Sequence, residues 1–178
     1  MNEGARVLVV DDNRVNRLLL ARCVELLGHR VAAAENGRVA LEMLRRERFD
    51  LLLLDMEMPE LTGFEVLAQL AADPELRDLP VIVTSSLEGV AHVVRCIELG
   101  ADDYLPKPVN PVLLKARIGA SLEKKRLRDQ QKELVRRFAT SEVAKRRTSS
   151  FCWSRRRFFS RLAPIRAFSS TALTGLAR

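Results

Sequence analysis

Four short apolar runs alternate with longer segments along the first 84 residues. The runs are RVLVV at 6–10, RVAAA at 30–34, LLLL at 51–54 and PVIVT at 80–84. VLVV and LLLL contain no polar positions, as expected of strands that are covered by helices on both faces. The alternation predicts an α/β fold in which helices surround a parallel sheet.

One segment between the runs and one after the last run have apolar residues at the i, i+3, i+4, i+7 spacing of one helix face. We predict that each set packs on the sheet. Gly28 and Gly100 follow predicted helices, where glycine commonly closes the last turn. The two sets are Phe64, Leu67, Ala68, Ala71 and Val90, Val93, Val94, Ile97.

A fifth strand is predicted at 103–105, because Pro106 and Pro108 exclude a helix there. Asn110 and Pro111 form an N-cap followed by proline at the first helical position. The predicted helix continues from Pro111 to about residue 138. Ala120, Leu127 and Leu134 recur every seven residues, which favours a paired helix, although a single solvated helix is the alternative.

The net charge of +7 is concentrated at the end of the chain. Residues 143–178 contain nine Lys or Arg and no acid, which leaves 21 basic and 23 acidic residues in positions 1–142. A basic, aromatic segment can bind nucleic acid or anionic lipid. We favour the interpretation of residues 145–178 as a truncated or frame-shifted remnant over a selected nucleic-acid arm.

The three cysteines, at 23, 96 and 152, are an odd number without a CxxC pair. They cannot form a complete intramolecular disulfide framework, so a reducing cytoplasm is the predicted location. No apolar run approaches the length of about 20 residues that spans a bilayer. We expect a soluble protein that is not exported.

Acidic residues follow two of the buried strands. Asp11 and Asp12 come after VLVV, and Asp55 comes after LLLL. In an open α/β sheet, ligands bind beyond the carboxyl ends of strands where the strand order reverses. Three carboxylates that converge there need a cation, and Mg²⁺ suits them because it prefers oxygen ligands. His29 and His92 lie apart and are predicted to be ordinary surface residues.

Thr84 and Lys107 follow two further strands and supply a hydroxyl and a positive charge. An aspartate can act as a nucleophile and form an aspartyl phosphate when a metal ion and a cation neutralise the incoming oxygens. Each acid taken singly would be interpreted as a helix cap or a turn residue. The joint placement of these residues favours phosphoryl chemistry.

At these positions the sequence resembles the bacterial response regulator receiver family. The matching motifs are VVDDN at 9–13, LLLDMEMPELTG at 52–63, VTSS at 83–86 and GADDYLPKP at 100–108. The resemblance covers about 120 residues. It implies a doubly wound, flavodoxin-like sheet of five parallel strands in the order 2-1-3-4-5, followed by an extended C-terminal helix.

The resemblance also implies the roles of individual residues. Asp55 would be the phosphoacceptor, and Mg²⁺ would be bound by Asp55, by Asp12 directly, by Asp11 through water and by the backbone carbonyl of Glu57. The switch set, which would hold or sense the phosphoryl oxygens, is Thr84, Lys107 and Tyr104. The implied phosphodonor is a sensor histidine kinase or a histidine phosphotransfer protein. A homodimer through the fourth helix, fifth strand and fifth helix is a further expectation.

Residues 133–144, ELVRRFATSEVA, resemble the connector that precedes class III nucleotide cyclase domains. We therefore divide the chain into a receiver at 1–120, a helical stalk at 121–142 and a basic tail at 143–178. A cyclase domain needs two metal-binding carboxylates, and no acid follows the connector. We predict no enzymatic activity beyond accepting and slowly losing a phosphoryl group.

Two alternative functions differ in class from a phosphorylated switch. An aspartate-nucleophile phosphatase of the haloacid dehalogenase type uses similar residues, but it places a DxD pair after its first strand, where this chain has the adjacent Asp11 and Asp12. A DNA-binding regulator would use the basic tail, but Pro164 and serine runs interrupt any helix-turn-helix pattern.

Overall fold

A computed structural model describes residues 4–87 and 89–140, apart from the side chains of 139 and 140. The strands are β1 (Arg6–Val10), β2 (Arg30–Ala34), β3 (Leu51–Asp55), β4 (Val81–Ser85) and β5 (Asp103–Pro106). The helices are α1 (Arg14–Leu26), α2 (Gly37–Arg46), α3 (Gly63–Ala72), α4 (Val90–Glu98) and α5 (Pro111–Thr140). The described residues up to Gln130 belong to one compact unit, and the residues of α5 from Gln131 onward belong to a second unit.

The five strands form one parallel sheet in the order β2-β1-β3-β4-β5. Val10 lies beside Leu54, and Asp55 lies beside Thr84, so the carboxyl ends of β1, β3 and β4 are level. The predicted fold class and strand order are confirmed. The reversal of strand order lies between β1 and β3, where Asp11 and Asp55 follow.

The core has two layers, one on each face of the sheet. Leu8 and Val10 of β1 belong to the layer formed with α2, α3 and α4, whereas Val7 and Val9 belong to the layer formed with α1 and α5. Successive strand residues point to opposite faces, so both positions of the period must be apolar. This arrangement explains the uninterrupted apolar runs.

The predicted faces of α3 and α4 are partly wrong. Ala68 and Ala71 are exposed, and α3 instead buries Val66, Leu67 and Leu70. Helix α4 buries Cys96 and leaves three of the four predicted residues, Val90, Val94 and Ile97, exposed. Both helices carry apolar residues on more than one face, so spacing alone did not identify the face that meets the sheet.

The predicted helix ends are confirmed at three positions. Gly28 and Gly100 have φ angles of +84° and +104°, which favour glycine after α1 and α4. Asn110 Oδ1 accepts the backbone N–H of Val112 at 2.9 Å at the start of α5. The two glycines set the points at which the chain returns to the sheet, and Asn110 sets the point at which α5 begins.

Helix α5 buries Leu114 and Ile118 against the sheet, and it continues without a break to Thr140. Leu127 and Leu134 are each 54% exposed. Pairing of this segment with another helix stays a prediction. Within the described ranges, no helix combines the length and apolar character that a membrane span requires.

Candidate functional site

Three carboxylates converge at the carboxyl edge of the sheet. Asp11 and Asp55 are buried and Asp12 is exposed, and one ligand atom from each lies within 4.8 Å of the others. Asp11 and Asp12 follow β1, while Asp55 is the last residue of β3. The structure therefore brings together the acidic cluster that the sequence predicted.

Lys107, which follows β5, inserts its ammonium group between two of these acids. Lys107 Nζ lies 2.7 Å from Asp55 Oδ2 and 3.0 Å from Asp11 Oδ2. Asp11 Oδ2 accepts no aligned hydrogen bond from the described residues, so its contact with Lys107 is electrostatic. One cation thus faces two almost fully buried carboxylates.

Burial and ion pairing both act on the pKa values of Asp55 and Lys107, and a different one of the two effects prevails at each residue. Burial raises the pKa of the Asp55 carboxyl, and the hydrogen bond from Lys107 opposes that shift only in part. At Lys107 burial acts to lower the pKa, but contacts with Asp55 and Asp11 outweigh it and the pKa is raised. Lys107 therefore stays charged, and Asp55 carries the cost of desolvation.

The donor set fits a hard divalent cation. All three side chains offer carboxylate oxygens, and the buried Asp11 Oδ2 lacks an aligned hydrogen-bond donor in the described part of the chain. Mg²⁺ takes one or two protein carboxylates together with water and phosphate oxygens. The exposed Asp12 leaves one side of the cluster accessible to such ligands.

The side chain of Thr84 lies at the same edge of the sheet. Thr84 is fully buried, and its Oγ1 has no hydrogen-bond partner among the residues that the structure describes. The adjacent Ser85 differs, because its Oγ accepts the backbone N–H of Leu87 at 3.0 Å. A buried hydroxyl without a partner costs free energy, which is a common property of functional positions.

Tyr104 lies on β5, which β4 separates from the strand of Asp55. Its side chain is half-buried, and its hydroxyl donates to the backbone carbonyl of Leu87 at 2.6 Å. Leu87 follows Ser85 and Ser86 in the loop between β4 and α4. Tyr104 is therefore connected to the loop that begins next to Thr84.

Glu57 joins the same loop to the loop after β3. Its backbone N–H donates to Asp55 Oδ1 at 3.2 Å, and its Oε2 accepts the N–H of Ser86 at 2.8 Å. The hydrogen bond from Ser86 lowers the pKa of the Glu57 carboxyl. The sequence did not predict the contact of the Glu57 side chain with Ser86, which spans 29 positions without a local signal.

Two residues that contact Asp11, one in the β1–α1 connection and one in the first turn of α1, were not identified from the sequence. The N–H of Asn13 donates to Asp11 Oδ1 at 2.9 Å, and Asn13 also caps α1. Arg17 Nη1 donates to the backbone carbonyls of Asp11 and Asp12 at 2.6 and 3.2 Å. Asn13 belongs to the VVDDN motif. The contact of the Arg17 side chain with backbone oxygens produces no recognisable sequence pattern.

The histidines lie outside the acidic cluster, as predicted, but their classification as surface residues is wrong. Both are half-buried. The His92 ring packs edge to face with Phe64, with 5.2 Å between ring centroids. Residues 143–178 and the end of the connector lie outside the described residues, so the predictions made for them stay predictions.

A groove of about 420 Å³ opens beside Lys107. It runs between α1 and the segment that joins β5 to α5, and its lining is mostly apolar. Helix α1 also presents exposed apolar side chains next to it, with Leu18 and Leu19 about 60% exposed (59% and 61%). The lining residues are Asn16, Leu19, Leu20, Cys23, Ser86, Lys107, Pro108, Val109, Pro111 and Leu114.

Comparison with protein families matches residues 7–119 to the response regulator receiver domain. Response regulator MprA of Mycobacterium ulcerans is 42% identical over 128 residues, which are 72% of this chain and 54% of that protein. The chain thus spans about half the length of this curated relative. The matches do not support the cyclase-type connector.

Solved receiver structures share the fold. The receiver domain of a histidine kinase from Syntrophus aciditrophicus is 33% identical with a TM-score of 0.64, covering 68% of this chain and 92% of that chain. The BeF3-activated DrrB receiver domain is 30% identical with a TM-score of 0.60, covering 67% and 98%.

Proposed function

Because this chain belongs to the response regulator receiver family, we propose that it is a phosphorylation-dependent switch in which Asp55 accepts a phosphoryl group from a phosphohistidine donor. The observation that carries the proposal is the geometry at Asp55. This buried carboxylate ends a central strand, contacts Lys107 at 2.7 Å and lies within the cluster formed with Asp11 and Asp12.

A carboxylate oxygen of Asp55 would attack the phosphorus atom of the donor. A phosphorus–oxygen bond forms as the phosphorus–nitrogen bond to the donor histidine breaks, and the imidazole leaves. Lys107 would neutralise charge on the transferred group. Its raised pKa keeps it protonated throughout, so it contributes charge and not a proton.

Receiver domains of this family bind Mg²⁺, and the oxygen donors of this chain fit that ion. Asp12, Asp11 and Asp55 would hold it together with the carbonyl of Glu57. When bound, Mg²⁺ supplies positive charge that lowers the repulsion between the carboxylates and the incoming phosphoryl oxygens.

The switch would operate through Thr84. A phosphorylated Asp55 carries about −1.5 to −2 charges with strong acceptor oxygens. Thr84 Oγ1, which has no partner within the described ranges, would gain an acceptor and draw the β4–α4 loop inward. Tyr104 donates to Leu87 in that loop, so its ring would change position and alter the surface of α4, β5 and α5.

The proposed donor is a sensor histidine kinase or a histidine phosphotransfer protein. The groove is lined in part by Lys107, which contacts Asp55, so a donor that reaches Asp55 would have this groove and the exposed leucines of α1 within its reach. An apolar surface next to a reactive carboxylate suits the side of a helical donor domain.

Intact mass spectrometry after incubation with acetyl phosphate and Mg²⁺ tests this proposal. We expect the wild-type chain to gain one phosphoryl group and Asp55→Asn to gain none. Asp129→Asn, which removes an exposed acid on α5, is the matched control and should be labelled like wild type. Equal labelling of Asp55→Asn would exclude Asp55 as the acceptor.

A further inference from the structure

Two carboxylates at the amino edge of the sheet have the same pair of contacts. Asp50 Oδ2 accepts the N–H of Arg6 at the start of β1 at 2.9 Å, and its Oδ1 contacts Lys125 Nζ at 3.1 Å. Asp102 Oδ2 accepts the N–H of Val81 at the start of β4 at 3.2 Å, and its Oδ1 contacts Lys124 Nζ at 2.9 Å. Each acid thus joins the first residue of a strand to α5.

The two lysines are neighbours on α5, whereas their partners belong to different parts of the sheet. Asp50 precedes β3 and contacts β1, while Asp102 precedes β5 and contacts β4. Lys125 is only 25% exposed, and its hydrogen bonds with Asp50 and Asp129 outweigh burial and raise its pKa. The helix is therefore held from two sides.

Two arginines extend this belt of contacts along the helix. Arg117 Nη1 lies 2.8 Å from Asp103 Oδ2 at the first residue of β5. Arg128 Nη2 donates to the backbone carbonyl of Asp78, which lies between α3 and β4, at 3.3 Å. Basic residues between 117 and 128 thus reach three separate connections at the amino edge of the sheet.

We propose that the pairs Asp50–Lys125 and Asp102–Lys124 form a strand-start clamp that makes α5 move with the sheet as far as Arg128. Asp102 and Asp103 directly precede Tyr104, so the clamp joins α5 to the strand that carries Tyr104 and leads to Lys107. The regulatory part of this inference, transmission of a β5 displacement to α5, rests on the proposed function. The mechanical part, that α5 moves with the sheet, does not rest on the proposed function.

Amide hydrogen exchange of residues 120–130 tests the mechanical part without any phosphoryl analogue. The variant with both Lys124→Met and Lys125→Met keeps the apolar stems and removes both charges. Partly buried ion pairs of this kind stabilise enough that their loss should accelerate exchange about 3- to 10-fold. Lys115→Met, on an exposed turn of the same helix, should leave the rates unchanged.

A second variant distinguishes loss of the clamp from a folding defect in the double variant. Asp102→Asn can still accept the Val81 N–H but loses its charge, and it should accelerate exchange in the same segment by a smaller factor. Addition of 0.5 M NaCl should accelerate exchange in wild type and not in the double variant, because salt screens the two Asp–Lys pairs that the double variant lacks. Rates in the double variant equal to wild type would overturn the clamp.

The regulatory part is tested by repeating the exchange with beryllofluoride and Mg²⁺. We expect beryllofluoride to change exchange in β5 of every variant but to change exchange at 120–130 only where the clamp is intact. An equal response of α5 in the double variant would overturn transmission through the clamp. Absence of any response in wild-type β5 would instead contradict the proposed function, so the two failures are distinguishable.

Discussion

Two carboxylates at the carboxyl edge of the sheet are buried, although burial removes the water that would solvate their charge. Asp11 and Asp55 are 0% and 1% exposed, and burial raises the pKa of Asp55. Moving a carboxylate from water into a protein interior costs several kcal/mol, and a buried ion pair offsets that cost only when its geometry is excellent. Asp55 is therefore expensive for the folded state, and its retention at the end of β3 accords with a chemical role.

Thr84 offers a test of that interpretation at the level of one hydroxyl. Its Oγ1 has no partner among the described residues, so Thr84→Val removes a buried polar atom without breaking a hydrogen bond. We expect the free energy of unfolding to stay equal or to rise by about 0.5–1 kcal/mol, as measured by urea denaturation. The response of the β4–α4 loop to beryllofluoride should be lost.

Ser85 is the matched contrast to Thr84. It is also fully buried, but its Oγ accepts the N–H of Leu87, so Ser85→Ala should destabilise the protein by about 1 kcal/mol. A Thr84→Val variant that loses as much stability as Ser85→Ala would mean that Thr84 Oγ1 makes a hydrogen bond in solution.

The convergence of Asp11, Asp12 and Asp55 could be predicted because each residue follows an apolar strand, and parallel strands end at one edge. The contact of Glu57 with Ser86 could not. It joins two loops at 2.8 Å across 29 positions, and neither residue type demands the other. Sequence patterns specify where strands end, whereas loop-to-loop hydrogen bonds depend on the assembled sheet.

Among the secondary-structure elements, α1 carries the surface proposed for the phosphodonor. Leu19 lines the groove beside Lys107, whereas Leu26 lies at the other end of the helix and is 71% exposed. Leu19→Asp should slow phosphotransfer from a cognate phosphohistidine donor by about tenfold, because charge at the centre of an apolar contact costs about 1–2 kcal/mol. Labelling by acetyl phosphate should be unaffected.

Leu26→Asp is the control for this experiment, since it adds the same charge to the same helix away from the groove. It should leave both donors unaffected. Equal slowing by Leu19→Asp and Leu26→Asp in stopped-flow phosphotransfer would show that the effect is electrostatic repulsion and not loss of a docking surface.

The strand-start clamp also predicts a pH dependence. Burial opposes ionisation of Asp50, but the hydrogen bonds from Arg6 and Lys125 outweigh it and lower the pKa below the ordinary 3.8. A lowered folded-state pKa gives stability that is present above the unfolded value and is lost as the pH falls through the folded value. Asp50→Asn should therefore cost about 1 kcal/mol near pH 7.

Urea titrations of wild type and Asp50→Asn across pH 2–7 measure this difference. It should stay constant down to about pH 5 and shrink below about pH 4 as wild-type Asp50 becomes protonated. A difference that persists unchanged at pH 2 would mean that the packing of Asp50 stabilises the protein and its charge does not.

The strands and caps were predictable, whereas the helix faces were less so. Val7 to Val10 form a run that only a doubly covered strand needs, and Gly28 and Gly100 supply φ angles that other residues avoid. In α4, Cys96 and Val94 are both apolar, so which of them is buried depends on how the helix packs on the sheet. The clamp pairs, up to 75 positions apart, leave no local pattern.

For the whole molecule, the exposed side of α4 is a candidate surface for self-association. Val90, Val94 and Ile97 are exposed there, on the helix that precedes β5. We expect the apparent mass in size-exclusion chromatography with light scattering to increase with beryllofluoride and Mg²⁺. Val94→Asp should prevent the increase, and a monomer under all conditions would contradict a dimeric output.

The proposed phosphoacceptor is a single group, the carboxylate of Asp55. Borohydride reduces an aspartyl phosphate to homoserine, which marks the acceptor permanently. After phosphorylation by acetyl phosphate and reduction, tandem mass spectrometry of the whole protein should place homoserine at position 55 and at no other acid. Homoserine at position 11 or 12, or its absence from a chain that had gained a phosphoryl group, would contradict the account.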